Sequence, residues 1–421
     1  VRVKFVTKHA AIRVTETPFA VPTQLSRQGL SQIVNHLLNT ETPRPFDFLI
    51  DGLFLRTSLE KYMVRNLVSE ESMITLEYVE ALPEPQPKHE TNHPDWVSAV
   101  SVASGVVVTG CYDGQIRVYD DAAGECLASV KAHQGAVKSV SVQSTKQNEY
   151  LITSSGKDQL GQLWRFRAST KQLHAVASLT GHLNSVDTIE LDAKAERALT
   201  GSWDNTVRVW QLPQNATDEI ETSDAQPKKK QKSSKAGASS AVVSFRQLEA
   251  EIVLTGHTSY VTGVAFHPTE THQVVSGSSD RTVRFWDLTT HLCKQTMAGN
   301  RAITGISVNG SGFVLTSHPD HCVRLWDPRA TQSGENLVQR TFQSHQQWVN
   351  AVDWHPTNEH LFVSCGYDGA VKMWDVRSTI PLHTVAAHEG KALDVAWRHV
   401  EEPAMGFVSG GEDKQLKMYS V

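Results

Sequence analysis

The sequence predicts a mainly β protein in two parts, a small roll of strands and helix followed by a closed ring of seven antiparallel sheets. Three observations predict it. A unit of apolar–polar alternation, broken by Gly, Ser, Asp and Pro, recurs seven times through residues 93–421, the pattern of short antiparallel strands. Every copy keeps the same residue types at fixed offsets from a turn Asp. The first 80 residues carry strand and helix signals in a different order and do not repeat.

In chain order, VRVKFVTKH and AIRVTETPFAVP read as two strands joined by a tight connection. Leu25 to Asn39 carries apolar residues at Leu30, Ile33, Val34, Leu37 and Leu38, a helical stripe. Ser26 stands at its N-cap position, and Pro43 and Pro45 lie past its end. Phe46 to Ile50 reads as a third strand with Asp51-Gly52 as its turn. A short strand, a helical turn anchored at Ser58, a loop and a final strand follow. The order β-β-α-β-β resembles ubiquitin, as does LRTSLEKYMVRNLVSEESMITLEY itself, so residues 1–80 are expected to form a ubiquitin-like (β-grasp) domain.

Residues 81–92 are Pro-rich and read as a linker. The repeats follow, with turn residues Asp113, Asp158, Asp204, Asp280, Asp320, Asp368 and Asp413. Six residues after each lies an aromatic: Tyr119, Trp164, Trp210, Trp286, Trp326, Trp374 and Tyr419. Four before each lies a hydroxyl: Thr109, Ser154, Thr200, Ser276, Thr316, Ser364 and Ser409. Twenty to twenty-five before lies His93, His133, His182, His257, His345 or His388, with Asn300 standing in once. A blade buried on both faces must satisfy its polar groups internally, and these four types can bond one another in a chain. His182-Thr200-Asp204-Trp210 and His257-Ser276-Asp280-Trp286 are complete sets. The array resembles WD-repeat proteins and implies a seven-bladed WD40 β-propeller over residues 93–421. The sequence ends at Val421, two residues after Tyr419, so the outermost strand of the last blade is expected from residues 85–92, removing an open edge.

Spacing between successive aromatics is 45, 46, 76, 40, 48 and 45. The excess falls on residues 214–241, acidic, then basic, then Ser- and Ala-rich, without apolar periodicity. A disordered insertion is expected there. Lys228, Lys229, Lys230 and Lys232, after Pro227, have the form of a nuclear localisation signal, the other reading being a solvated charge run. Composition sets the remaining bounds. With 39% hydrophobic residues and a net charge of −5, no global basic field draws the chain to nucleic acid or membrane. Five scattered cysteines without CxxC suit free thiols in a reducing compartment. The longest apolar run, Val97 to Gly110, alternates as a strand does and does not read as a membrane span. Nothing at the start reads as a signal peptide, and a first residue other than Met implies preceding residues.

No GxxxxGK[ST] loop, HExxH or nucleophile elbow is present; GISVN at 305–309 lacks the second Gly. Six of the 19 histidines sit at the repeat offset, which assigns them to structure. Protein binding is the better reading. Trp96, Tyr260, Trp348, Tyr112, Trp203 and Tyr367 fall in loops that project to one face of a propeller. Each is either an interface anchor or a residue that plugs the channel mouth or packs on a neighbouring blade, with Trp203 and Trp348 the preferred anchors.

The run LSQIVNHLLNTETPRPFDFLIDGLFLRTSLEKYM, then LEYVEALP and HPDWVSAVSV, resembles the WD-repeat ribosome-assembly proteins of the Pescadillo complex, relatives of the Notchless proteins. That resemblance implies a non-enzymatic nuclear and nucleolar factor for the large (60S) subunit. It implies docking of the propeller on a Bop-type WD-repeat partner, which carries Pescadillo. It also implies that the roll binds midasin, an AAA+ ATPase that strips factors from the pre-60S particle. A Glu ahead of the last strand would complete the Mg²⁺ site of midasin's integrin-like domain; alignment on ITLEY places it at Glu71, with Glu70 as runner-up. Without the resemblance, Glu70-Glu71 reads as an ordinary acidic turn. A ubiquitin-pathway adaptor is the first rival, opposed by EALPEPQP in place of a Gly-Gly tail. An RNA-binding propeller is the second, made secondary by the acidic net charge.

Overall fold

The computed structural model describes residues 1–40, 42–69, 71–146, 148–213, 246–329, 338–398 and 405–421. They form two compact units, Val1–Glu84 with Asp375–Leu382, and Pro85–Trp374 with His383–Val421.

The first unit is a five-stranded sheet in the order β2-β1-β5-β3-β4. Its elements are β1 (Arg2–Val6), β2 (Phe19–Ala20), α1 (Arg27–Leu38), β3 (Phe46–Ile50), β4 (Leu53–Phe54), α2 (Leu59–Asn66) and β5 (Met73–Glu80). The central pair, β1 and β5, is parallel, and β3 joins β5 antiparallel. Helix α1 sets Leu30 and Val34 among Phe5, Phe46, Leu76 and Tyr78. Asp51 and Gly52 both take positive φ, 51° and 75°, the two-residue turn whose twist suits a hairpin. Two expectations need correction. Only Phe19–Ala20 of the second strand pairs with β1. The Tyr78 hydroxyl accepts from the Val14 N–H at 2.9 Å and donates to the Ile12 carbonyl at 2.5 Å, giving this segment a side-chain partner in place of a ladder. Ser26 holds the N-cap conformation of α1 but makes no capping bond, whereas Ser58 accepts from the Lys61 N–H at 3.5 Å.

The second unit contains seven sheets. Their innermost strands are Val97–Ala103, Val137–Lys146, Val186–Leu191, Val261–Phe266, Gly305–Val308, Val349–Trp354 and Ala392–Trp397, numbered here as blades 1 to 7. Each packs on the next and the seventh packs on the first, closing the ring around a channel. Blade 7 takes its outermost strand from β6 (Gln86–Asn92), antiparallel to Gln415–Ser420. Arg246–Leu248 adds a fifth, parallel strand to blade 2. In all seven blades the residue after the turn Asp is left-handed: Gly114, Gln159, Asn205, Arg281, His321, Gly369 and Lys414, with φ between 67° and 75°. At Gly114 and Gly369 a Cβ would meet the His133 or His388 carbonyl at 2.4 Å, so glycine is required there for space as well as for φ.

Candidate functional site

The polar groups inside the blades come first, because they fix the loops that carry the rim. In blade 3, His182 Nδ1 donates to Asp204 at 2.7 Å, Nε2 meets the Thr200 hydroxyl at 2.7 Å, and Trp210 donates to that hydroxyl at 2.9 Å. Blade 4 repeats the chain through His257, Asp280, Ser276 and Trp286 at 2.8, 2.7 and 2.8 Å. Blades 2 and 6 are built alike on His133 and His345, and blade 7 on His388 with Asp413 and Ser409. Burial raises the Asp280 pKa, but hydrogen bonds from Thr282, His257 and the Thr258 N–H outweigh it and hold the carboxyl at about 2. Such carboxylates clamp the loop that enters each blade.

Blades 1 and 5 depart from this. Asp113 bonds Arg117 at 2.6 Å, and His93 Nδ1 turns to the Thr91 carbonyl at 3.3 Å while Nε2 meets Thr109 and Tyr119. In blade 5 Asp320 likewise bonds Arg324. The histidine partner of Thr316 is His318, at 2.7 Å, and not the position of Asn300, which is a correction to the sequence reading. His318 rises from two residues before the turn Asp and donates to the Ala302 carbonyl at 2.7 Å. Burial, aided by the neighbouring arginine, lowers both His93 and His318 to about 4.

The six rim aromatics assemble in pairs. Trp203 stacks on Tyr260 of the next blade at 4.9 Å and donates to Asp187 at 2.5 Å. Trp348 stacks on Tyr367 at 5.9 Å, and Trp96 meets Tyr112 at 5.1 Å. The Lys391 ammonium lies 5.8 Å from the Trp96 ring and 5.3 Å from the Tyr367 ring, and Lys138 lies 5.8 Å from Tyr112. These contacts make one belt, Trp348-Tyr367-Lys391-Trp96-Tyr112-Lys138, from blade 6 across blades 7 and 1 to blade 2. The tyrosines line a cavity of about 270 Å³ at the channel mouth, together with Lys138, Asp187 and Asn350. Trp203 and Trp348 stand outside that lining, 46% and 52% exposed.

Deeper in the channel lie three carboxylates that the sequence reading missed. Asp394 accepts from the Val100 N–H at 2.8 Å and Asp353 from the Trp397 N–H at 2.9 Å, each tying its blade to the next. All three line the channel and are half-buried. Burial pushes Glu190 up to about 8, and Asp353 and Asp394 up to about 7. Repeated Ser101, Ser141 and Ser307, which accept from the N–H of Val142, Leu191 and Trp354, occupy comparable places.

In the first unit, Glu71 is exposed on the turn before β5. Its N–H donates to the Ser69 hydroxyl at 3.3 Å, and Ser72 donates to the Ser69 carbonyl at 2.5 Å. The turn is thus fixed by serines, leaving the carboxylate unencumbered by them. Among the described residues no group of three His, Cys, Asp or Glu side chains is placed to hold a metal ion. Glu70, Lys228, Lys229, Lys230 and Lys232, and the 214–241 insertion, lie outside the described residues.

The NLE (NUC135) domain family matches residues 1–63, and the WD domain, G-beta repeat, matches 85–120, 124–165, 173–211, 249–287 and 337–375. A ribosome biogenesis protein WDR12 homolog of Chlamydomonas reinhardtii is 38% identical over 441 residues, covering 100% of this chain and 97% of its own. Homologs of the same name in Nematostella vectensis and Dictyostelium discoideum are 34% and 35% identical, each over 100% of this chain and over 99% and 94% of their own. With an N-terminal roll, a closed ring of seven blades and relatives alike from end to end, the chain belongs to the WDR12 family of ribosome biogenesis proteins.

Proposed function

We infer that the chain is a non-enzymatic assembly factor of the large (60S) ribosomal subunit, working in the nucleus and nucleolus. Its propeller docks on a Bop-type WD-repeat partner, which carries Pescadillo, through the aromatic belt. Its roll offers Glu71 to the Mg²⁺ of midasin's integrin-like domain, and ATP-driven work then removes the factor from the pre-60S particle. The observation that carries the midasin reading is the Glu71 turn, an exposed carboxylate on a loop braced by Ser69 and Ser72. An exposed carboxylate oxygen on a braced turn suits a hard divalent cation held by the partner, since such cations take oxygen ligands. Exposed tryptophans on a braced rim support the docking reading.

The test is a binding series with midasin's metal domain. Glu71→Ala and Glu71→Gln should lose binding, and Glu71→Asp should be impaired, because a shorter arm moves the oxygen by about 1.5 Å and coordination distances tolerate little. Chelating Mg²⁺ should abolish binding of the unsubstituted chain and add nothing to Glu71→Ala. Normal binding of Glu71→Ala in chelator would defeat the reading. Loss only in Glu70→Ala would move the ligand by one position and leave the mechanism standing.

A further inference from the structure

We propose that the propeller is built to be opened from its N-terminal strand, so that pulling on the Glu71 turn peels β6 from blade 7 and takes apart the docking rim. The proposal rests on the docking and midasin reading above and supplies the step between them.

The path of the load follows from the chain. Glu71 and the end of the roll at Glu80 bracket a single strand, β5, the third of five in its sheet. A strand is already extended at about 3.3 Å per residue, so load entering at Glu71 runs along β5 with little slack. The rest of the roll joins this path sideways, through β1 and β3 on either side of β5. Asp375–Leu382 joins it through the Phe54 N–H, which donates to the Arg377 carbonyl at 3.3 Å. Residues 81–85 follow, and the next structure on the line is β6.

That strand is lightly held. None of its seven residues is buried, as in the outermost strands of blades 1 and 6, whereas those of blades 3, 4 and 5 bury Ile252 and Leu254, Met297, and Phe342. Unlike Cys126–Lys131 and His383–Ala386, β6 is also the strand that continues from the roll. Pro87 brings no N–H to the ladder, and the register shifts beside it. Its side-chain links lie at the surface and include Glu90 to Lys417 at 3.4 Å, His89 to the Ala122 carbonyl at 2.9 Å, Thr91 to the Gly124 carbonyl at 3.5 Å and Gln415 to Asn92 at 3.4 Å. A strand held mainly by a hydrogen-bond ladder yields before one anchored by buried side chains.

What lies just beyond β6 makes the opening consequential. His93 has no carboxylate clamp; its Nδ1 bonds the Thr91 carbonyl of β6 itself, which leaves with the strand. Trp96 comes four residues after Asn92, and it joins the Tyr112 ring to the Lys391 ammonium that also covers Tyr367. The rim therefore bridges blades 6, 7 and 1 through a residue on the loaded segment. Peeling β6 removes Trp96 from the belt. The inner seam stays shut through Arg398, whose Nη2 lies 2.8 Å from Asp121, and through Asp394 on the Val100 N–H, so the ring can close again.

Optical-trap pulling on the full chain tests this, with handles clicked to azide-bearing residues at positions 71 and 183, both exposed. A second chain adds Glu90→Cys and Lys417→Cys, cross-strand partners in register and so within disulfide reach. The first extension step should be about 20–45 Å, the length of the freed segment at roughly 3.5 Å per residue. It should vanish in the oxidised double-cysteine chain and return on reduction. A first step above about 100 Å, the scale of whole blades at that length per residue, or a step indifferent to oxidation, would overturn the proposal. Midasin binding separates the two readings: a step that persists while Glu71→Ala binds midasin normally upholds the opening device and removes midasin as what pulls it.

Discussion

Breaking the ion pair between Arg398 and Asp121 should cost more stability than any surface charge in the chain. The guanidinium Nε lies 2.5 Å from Oδ1, Nη2 lies 2.8 Å from Oδ2, and Nη2 also reaches the Asp121 carbonyl at 3.1 Å. The two residues are 6% and 7% exposed and join blade 7 to blade 1. Asp121→Ala leaves a buried guanidinium without its carboxylate, which costs about 3–5 kcal/mol. Replacing both, Arg398→Met with Asp121→Ala, removes the stranded charge, so the double variant should recover about 2 kcal/mol relative to the sum of the singles. At roughly 2 °C or less per kcal/mol for a domain of this size, Asp121→Ala should lower the propeller's Tm by about 5–8 °C. Calorimetry of the two single variants and the double variant, read as a cycle, is the assay. A Tm within about 1 °C of the unsubstituted chain, or a double variant as unstable as the additive sum, would refute the reasoning.

Other outcomes follow from the same geometry. His318→Ala should destabilise blade 5 by about 2 kcal/mol by removing the imidazole that bonds both the Thr316 hydroxyl and the Ala302 carbonyl, while exposed Asn300→Ala should stay within about 0.5 kcal/mol in urea titration. Stability should fall as pH drops from 6.5 through 4, because burial holds His93 and His318 at about 4 and the unfolded chain takes those protons first. Below that, from 3.8 towards 2, loss should continue as Asp280 and Asp368, both held at about 2, bind protons. The channel carboxylates act oppositely, since a raised folded pKa leaves their contribution intact below 3.8 and loses it progressively as pH rises from 3.8 through about 7. Asp394→Asn should accordingly raise Tm more at pH 8 than at about pH 3.5, where both states hold the proton; an equal change at both would rule this out. Trp348→Ala or Trp203→Ala should weaken binding of the Bop-type partner by about 2 kcal/mol or more with little change in Tm, measured by calorimetric titration.

Local pattern made the ring legible. Alternation sets strands, and a blade that buries both faces needs the same His, hydroxyl, Asp and aromatic each time, so His257, Ser276, Asp280 and Trp286 could be counted from the chain before they were seen bonded. The roll was readable for a similar reason, down to the left-handed Asp51-Gly52 turn. Contacts that cross the ring were not. Arg398 and Asp121 are 277 residues apart, and nothing in the sequence around either announces a partner. His318 replaced the expected loop residue because a side chain two positions from the turn reaches the same hydroxyl, a fact of space and not of spacing. The second strand of the roll shrank to two residues once a tyrosine from β5 met its backbone. Burial raises the pKa values of Glu190, Asp353 and Asp394 because closing the ring turns three strand faces toward one channel. Sequence periodicity determines which face of a strand is buried; only closure determines which strands share that face, and so where charge, aromatic belt and seam fall.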